Sequence, residues 1–203
     1  MHHPSIRALA GAKAPAALQA SSTALLVIDF QNEYFSGKLP VPDAAETLAQ
    51  ARRLIAHADA HRMPVFHVQH VSPAGGVVFA ADSPTVEFHA DAQPAPHHKV
   101  VKKNTASVFV SSDIDQQLKD AGIKTLLICG LMTHNCIAGA ARDAVPKGYA
   151  VIVAADASGT RAIDNPLGGT TSHVELHQAT LTGLSDTFGS VLTTDAILAL
   201  AVN

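Results

Sequence analysis

Short apolar runs of strand length alternate with helical stretches about six times along this chain, and no other feature constrains the fold as strongly. Ala24–Ile28, Val65–Val68, Lys99–Val101, Leu126–Cys129, Tyr149–Ala154 and Gly189–Leu192 read as strands. Between them, residues 44–61 place Ala44, Leu48, Ala51, Leu54 and Ile55 on one helical face behind a capping Asp43. Ser111-Ser112-Asp113 opens a helix that reaches Ala121, and Gly122 ends it. Further helices are expected from Cys136 to about Pro146, over 173–183 and from Thr194. Such alternation specifies an α/β fold: a parallel sheet with helices on both faces and right-handed crossovers. The chain fits one domain, 23–203. Ahead of it, residues 1–22 form an arm rich in Ala, Pro and Ser, expected to lie on the surface or on a partner subunit.

In sheets of this kind ligands bind beyond the carboxyl ends of the strands, where strand order reverses. That rule selects three polar positions. Asp29 ends the first strand, Lys102-Lys103 ends the third, and the fourth leads into Lys124–Asp143, KTLLICGLMTHNCIAGAARD. In that stretch Gly130 reads as the stop of the strand. Thr133-His134-Asn135 offers capping side chains, and Cys136 falls in the first turn of an alanine-rich helix. A helix start favours a thiolate over a thiol, and its free N–H groups suit an oxyanion. Cysteine, aspartate and lysine together make a coherent hydrolytic site. The carboxylate takes the thiol proton, the ammonium stabilises the anionic forms, and the resulting thioester yields to water. Taken singly, Cys136 also reads as a small core residue, Asp29 as a turn cap and either lysine as solvated surface.

The motifs also resemble a family. Asp29-Phe30-Gln31-Asn32 through Phe35 resembles the aspartate motif of the isochorismatase-like cysteine hydrolases, and Lys103-Asn104-Thr105-Ala106-Ser107-Val108-Phe109 is similar to its lysine segment, which selects Lys103 over Lys102. Gly130 through Cys136 resembles its nucleophile turn, and Ala141-Arg142-Asp143-Ala144 with Gly148-Tyr149 the helix and strand that follow. The likeness spans about residues 23–195. It implies a Rossmann-like three-layer αβα fold with a six-stranded, mainly parallel sheet and a catalytic triad of Asp29, Lys103 and Cys136. It implies a non-proline cis peptide at Leu131-Met132, with the N–H groups of Met132 and Cys136 as oxyanion hole, and dimers or tetramers whose neighbouring subunits complete the pocket. Members include nicotinamidases, carbamoyl-amide hydrolases, ureidoacrylate-type amidohydrolases and isochorismatases. Isochorismatases proper cleave a vinyl ether and typically lack the nucleophilic cysteine, so Cys136 argues for an amide, ureido or carbamoyl C–N bond. A scaffold that kept the fold without chemistry is disfavoured by the intact triad.

Gln31, Phe35, Phe79, Thr133 and His134 are the candidates for contacting substrate, with Phe88 as a further possible wall. Specificity is expected in the long segments near 71–97 and 156–172. Asp156, at the end of the fifth strand, reads as a turn cap. No cofactor and no metal are expected. His67 and His70 stand three apart on a strand and so face opposite sides, without the Asp-x-His arrangement of the metal-binding nicotinamidases. His89, His97 and His98 read as solvated loop residues. Cys129, inside a strand, reads as structural and is poorly placed to resolve an oxidised Cys136. A formal charge of -3 leaves no footprint for nucleic acid or an anionic membrane, and no apolar run is long enough to span a bilayer. With two cysteines and no convincing signal peptide, a reduced, cytoplasmic protein is expected. The small residues of the helix after Cys136 permit close approach of another element, a helix of the same subunit or of a second copy; the arm, with little to pack on within such a domain, and the family likeness favour a homodimer or homotetramer.

Overall fold

The apolar runs Thr23–Ile28 and Thr125–Leu131 lie side by side in parallel at the middle of a six-stranded sheet, with Val27 beside Cys129 and Ile28 beside Gly130. The computed structural model describes residues 3–203. In chain order the elements are α1 (Ile6–Leu9), β1 (Ala17–Leu18), β2 (Thr23–Ile28), α2 (Ala44–Ala60), β3 (Val65–His70), β4 (Lys99–Lys103), α3 (Ile114–Asp120), β5 (Thr125–Leu131), α4 (Ala138–Ala144), β6 (Ala150–Gly159), β7 (Ile163–Asp164), β8 (Thr170–Thr171), α5 (His173–Thr187), β9 (Ser190–Leu192), α6 (Thr194–Leu198) and β10 (Ala201–Val202). The main sheet runs β4-β3-β2-β5-β6-β9, all parallel.

Both faces are covered, which is why β2 is apolar without alternation. Leu25 and Val27 pack with Leu127, Cys129 and Leu131 under α2 and α6. Ala24, Leu26 and Ile28 pack with Leu126 and Ile128 under α3, α4 and Leu184 of α5. The two cores are the two sides of one period-two pattern. On α2, Ala44, Leu48, Ala51 and Leu54 are buried as their spacing predicts, and Ile55 is half-buried.

Three expectations are corrected. Gly130 does not end β5, which continues to Leu131. Its φ is +134°, and a Cβ there would sit 2.0 Å from the Ile28 carbonyl oxygen, so glycine is what lets β5 press past the end of β2. Next, β6 runs on to Gly159, taking in the start of the supposed 156–172 loop, because Ser158 and Gly159 pair with Gly130 and Leu131. Part of the remainder is the small β7–β8 hairpin. The N-terminal arm, thirdly, has a packing surface in its own chain. β1 pairs in parallel with β10, Leu18 is buried, and the Ile6 N–H donates to Asp186 at 2.8 Å on α5. The small residues of α4 follow the same-subunit alternative: Ala138, Ala140, Ala141 and Ala144 are all buried in this chain's core. Asp156 does act structurally, accepting the N–H and hydroxyl of Thr194 at 2.7 and 2.8 Å where α6 begins.

From β2 the chain order extends outward through β3 and β4 on one side and through β5, β6 and β9 on the other. The reversal lies between β2 and β5, and the carboxyl ends of both open onto it.

Candidate active site

Asp29 leaves β2 with φ of 56°, a left-handed conformation that aspartate tolerates better than most residues, and its carbonyl accepts the Gln31 N–H at 2.8 Å. Lys103 ends β4, the edge strand two positions away. Strands stand about 4.8 Å apart, so only a long side chain spans the gap. The Lys103 ammonium crosses β3 and stops 2.7 Å from Asp29 Oδ2 and 3.4 Å from Cys136 Sγ. The side chains of this pair are 0% exposed. Lys102, one residue earlier, turns to the other face and is exposed.

Cys136 sits in a single wide π-type turn, Thr133–Ile137, that leads into α4. The capping expected of Thr133, His134 and Asn135 does not occur. Thr133 Oγ1 instead lies 2.9 Å from His177 Nδ1, and His134 Nδ1 lies 2.6 Å from Thr160 Oγ1. The N–H groups of Asn135 and Ile137 both donate to the Met132 carbonyl, at 3.1 and 3.2 Å. The Leu131–Met132 peptide is cis.

Electrostatics here depart from the simple helix-start argument. Burial, and then the Asp29 charge, push the Cys136 thiol up to about 12 against the pull of Lys103. Burial thus favours the thiol form of the resting sulfur. Burial also raises the Asp29 carboxyl above its ordinary range despite Lys103, which strengthens it as a base. Burial opposes the Lys103 charge as well, but Asp29 and Cys136 more than offset it and hold the ammonium above the usual lysine value. The site is a thiol beside a basic carboxylate, with a fixed cation touching both.

Two residues join this cluster that the motifs did not flag. His70 Nδ1 lies 2.9 Å from the Lys103 ammonium, so it accepts, and the ring is the neutral Nε2–H tautomer. Burial and then Lys103 lower its pKa to about 4. Tyr34 is buried, with its phenol against Cys136; burial, Cys136 and Asp29 all hold it protonated. His70 pairs in register with Lys103 and Tyr34 follows Asp29 by five residues, signals that acquire meaning only once the strands are aligned.

The predicted substrate contacts divide. Phe79 walls the site, buried edge-on to Tyr34 at 5.2 Å and over His70 at 4.8 Å. Gln31 is corrected: it is fully buried, its Nε2 donates to the carbonyls of His70 (2.8 Å) and Val86 (2.6 Å), and its Oε1 accepts the His70 N–H at 2.8 Å. It clamps the 71–97 segment to the end of β3, and its side-chain amide is fully engaged in doing so. Phe35 stacks on His89 at 4.1 Å, and Phe88 packs on His67 at 5.8 Å. Thr133 and His134 border the nucleophile turn with their side chains already engaged.

The donors of Asp29, His70 and Cys136 lie within 4.8 Å of one another, a spacing that suits a metal. Lys103 Nζ bonds or pairs with all three, however, so a cation already holds the centre and the donor set does not fit a metal ion. His98 is corrected from solvated to buried, its side chain 3% exposed, because it links His67 (3.1 Å) to Asp59 (3.0 Å) and accepts the Ala95 N–H at 3.0 Å. His97 is exposed, 2.9 Å from Asp59, and His89 is half-buried against Phe35. Cys129 is buried and its sulfur donates to the Leu26 carbonyl at 3.6 Å. Cavities flank the site: one of about 300 Å³ reaches Ser158, Thr160 and His177, and one of about 600 Å³ lies behind Phe79 between Glu33 and Lys38.

The family model described as the isochorismatase domain matches residues 23–196. The isochorismatase family protein YddQ of Bacillus subtilis is 34% identical over 188 residues, covering 87% of this chain and 99% of that protein. The ureidoacrylate amidohydrolase RutB of Variovorax paradoxus is 28% identical, covering 95% of this chain and 86% of its own. Among solved structures, an isochorismatase from Pseudomonas putida KT2440 superposes with a TM-score of 0.89 at 27% identity, over 97% of this chain and 100% of that one.

Proposed function

The chain belongs to the isochorismatase family of hydrolases, and from that premise we propose that it is a cysteine-dependent hydrolase cleaving a C–N bond of a small amide, ureido or carbamoyl compound. One observation carries the reading: Lys103 Nζ lies 2.7 Å from Asp29 and 3.4 Å from Cys136 in a buried cluster, the set that nucleophilic attack on a carbonyl requires. As Sγ bonds to the carbonyl carbon, its proton passes to Asp29. The carbonyl oxygen becomes an oxyanion facing the N–H groups of Met132 and Cys136. The C–N bond breaks as Asp29 returns the proton to the leaving nitrogen, giving an acyl thioester. Water then attacks, losing a proton to Asp29. The C–S bond breaks, and that proton restores the thiol. Lys103 stays charged throughout and offsets each anionic state. RutB, whose name states an amidohydrolase of ureidoacrylate, supports the C–N assignment.

An amide and ureide panel with ammonia detection tests the reading. Cys136→Ala and Cys136→Ser are expected to lose turnover by several orders of magnitude while keeping the wild-type circular dichroism. More than about a tenth of the wild-type rate in Cys136→Ala would overturn covalent catalysis. Assembly into a homodimer or homotetramer rests on the family likeness, since the arm and α4 pack within one chain, and sedimentation at micromolar concentration decides it.

A further inference from the structure

The turn that carries Cys136 is held from two sides. On one, His134 Nδ1 lies 2.6 Å from Thr160 Oγ1, one residue past the end of β6. β6 pairs with β5 as far as Leu131, so this first fastening joins neighbours of one sheet. On the other, Thr133 Oγ1 lies 2.9 Å from His177 Nδ1 on α5 and has no other hydrogen-bond partner among the described residues. Thr133 is 0% exposed, and a buried hydroxyl that loses its partner is costly. A hydroxyl can donate or accept, so the bond holds with either tautomer of the ring. Little else ties α5 to this place. Its one buried residue is Leu184, two turns beyond His177 on the same face. Its other side-chain bonds run within the helix, to Ser172 before it, to Ile6 of the arm or to Asp43. His177 makes no hydrogen bond to Asp29, Lys103 or Cys136, and its ring lines the cavity of about 300 Å³ with His173 and Ser158.

Thr133 directly follows Met132, whose N–H the proposed mechanism sets at the oxyanion, and stands three residues before Cys136. A shift at Thr133 therefore moves donor and sulfur together, away from Asp29. We infer that His177 is a positioning residue of the reaction: through Thr133 it holds Cys136 Sγ and the Met132 N–H in place against Asp29 and Lys103. This rests on the hydrolase reading above and adds to it a residue outside the reacting cluster. Misplacing a reacting group by about 1 Å can cost about 100-fold in rate. Substrate affinity, which does not run through this bond, is left as it was.

His177→Leu fills much the same space and breaks the bond from one end, and Thr133→Val breaks it from the other. The substrate is whichever of acetamide, benzamide, malonamide and N-carbamoylglycine wild type hydrolyses fastest. Each variant should lower kcat about 10- to 100-fold and leave KM within about twofold. His177→Asn puts an amide where Nδ1 was and should recover most of the rate, as should Thr133→Ser. The double variant His177→Leu/Thr133→Val should be no slower than either single one, because the same bond is lost in all three. A second readout needs no hydrolysis. Amide hydrogen exchange over residues 131–138 should quicken in His177→Leu and return to the wild-type rate in His177→Asn, with urea midpoints unchanged. A raised KM with kcat intact, equal losses in His177→Leu and His177→Asn, additive losses in the double variant, or unaltered exchange in the turn would each overturn the inference. If exchange quickens and is restored as stated while wild type hydrolyses none of the compounds, the hold on the turn stands and the hydrolase reading falls.

Discussion

Replacing Lys103 by methionine keeps the apolar stem and removes the charge, leaving Asp29 buried without its cation. Both side chains are 0% exposed in the native pair. Breaking a buried ion pair from one side costs about 3–5 kcal/mol, because a charge is stranded. The structure sets a ceiling on that cost. The chain can protonate Asp29 instead, and taking a carboxyl of ordinary value 3.8 to its neutral form at pH 7 costs about 4 kcal/mol. The sign with pH follows. In the variant the folded-state value of Asp29 rises further above the unfolded one, so the folded protein binds the extra proton. Its stability relative to wild type therefore falls as pH rises through that interval, by up to about 1.4 kcal/mol per pH unit. A deficit of about 4 kcal/mol at pH 7 should shrink to less than about 2 at pH 5. The chain has no tryptophan, so urea unfolding followed by far-UV circular dichroism is the suitable assay, with wild type beside the variant at each pH. The double variant Lys103→Met/Asp29→Asn should recover much of the loss at pH 7. A deficit under about 1 kcal/mol, or one that does not change between pH 5 and 7, would show that Asp29 is not a buried charge held by Lys103.

The pH–rate profile should show an acid limb above the ordinary carboxylate value of 3.8, since Asp29 must be ionised to act and burial raises it; a limb at or below 4 counts against Asp29 as the base. Gly130→Ala should destabilise by about 3 kcal/mol or more, because the new Cβ meets the Ile28 carbonyl oxygen at 2.0 Å with φ at +134°, and a stable, fully active variant would refute that close approach. His67 is fully buried with its pKa lowered to about 4, by burial first and then by His98, so it contributes stability above pH 6.5 that is lost as pH falls toward 4, about 3 kcal/mol in all; His67→Gln should flatten that part of the unfolding curve.

The strand-end rule brought Asp29, the pair Lys102-Lys103 and the turn leading to Cys136 together from sequence because runs with ends are visible in one dimension, and the family likeness chose Lys103 from the pair. What escaped depended on lateral register or on remote partners. His70 touches Lys103 because β3 and β4 align those two residues, a relation absent from either segment alone. Thr133 reads as a cap by local rules, but its hydroxyl lies beside His177, 44 residues on. Gln31 sits in a motif beside Asp29 and reads as a substrate contact, whereas the end of β3 and the 71–97 segment engage both polar atoms of its side chain. Gly130 signals a break until the Ile28 carbonyl is set against it. The helix-start argument for a thiolate weighed partial charges on the backbone and left out the desolvation of a 2% exposed sulfur, which favours the thiol.

Lys103 is carried by β4, one of the two edge strands of the sheet, which pairs on one side only. Edge strands open at lower free energy than the strands they flank. The ammonium passes beneath His70 to Asp29 on β2, so it fastens the rim of the sheet to its centre by a bond other than the ladder. The contact that joins Lys103 to Asp29 is thus also a latch on an edge strand. When the rim lifts, Asp29 loses its cation and the nucleophile its counter-charge together. On the proposed chemistry, local opening of β4 would separate the three groups before any helix is lost, so a molecule with its edge frayed would fall silent before it unfolds.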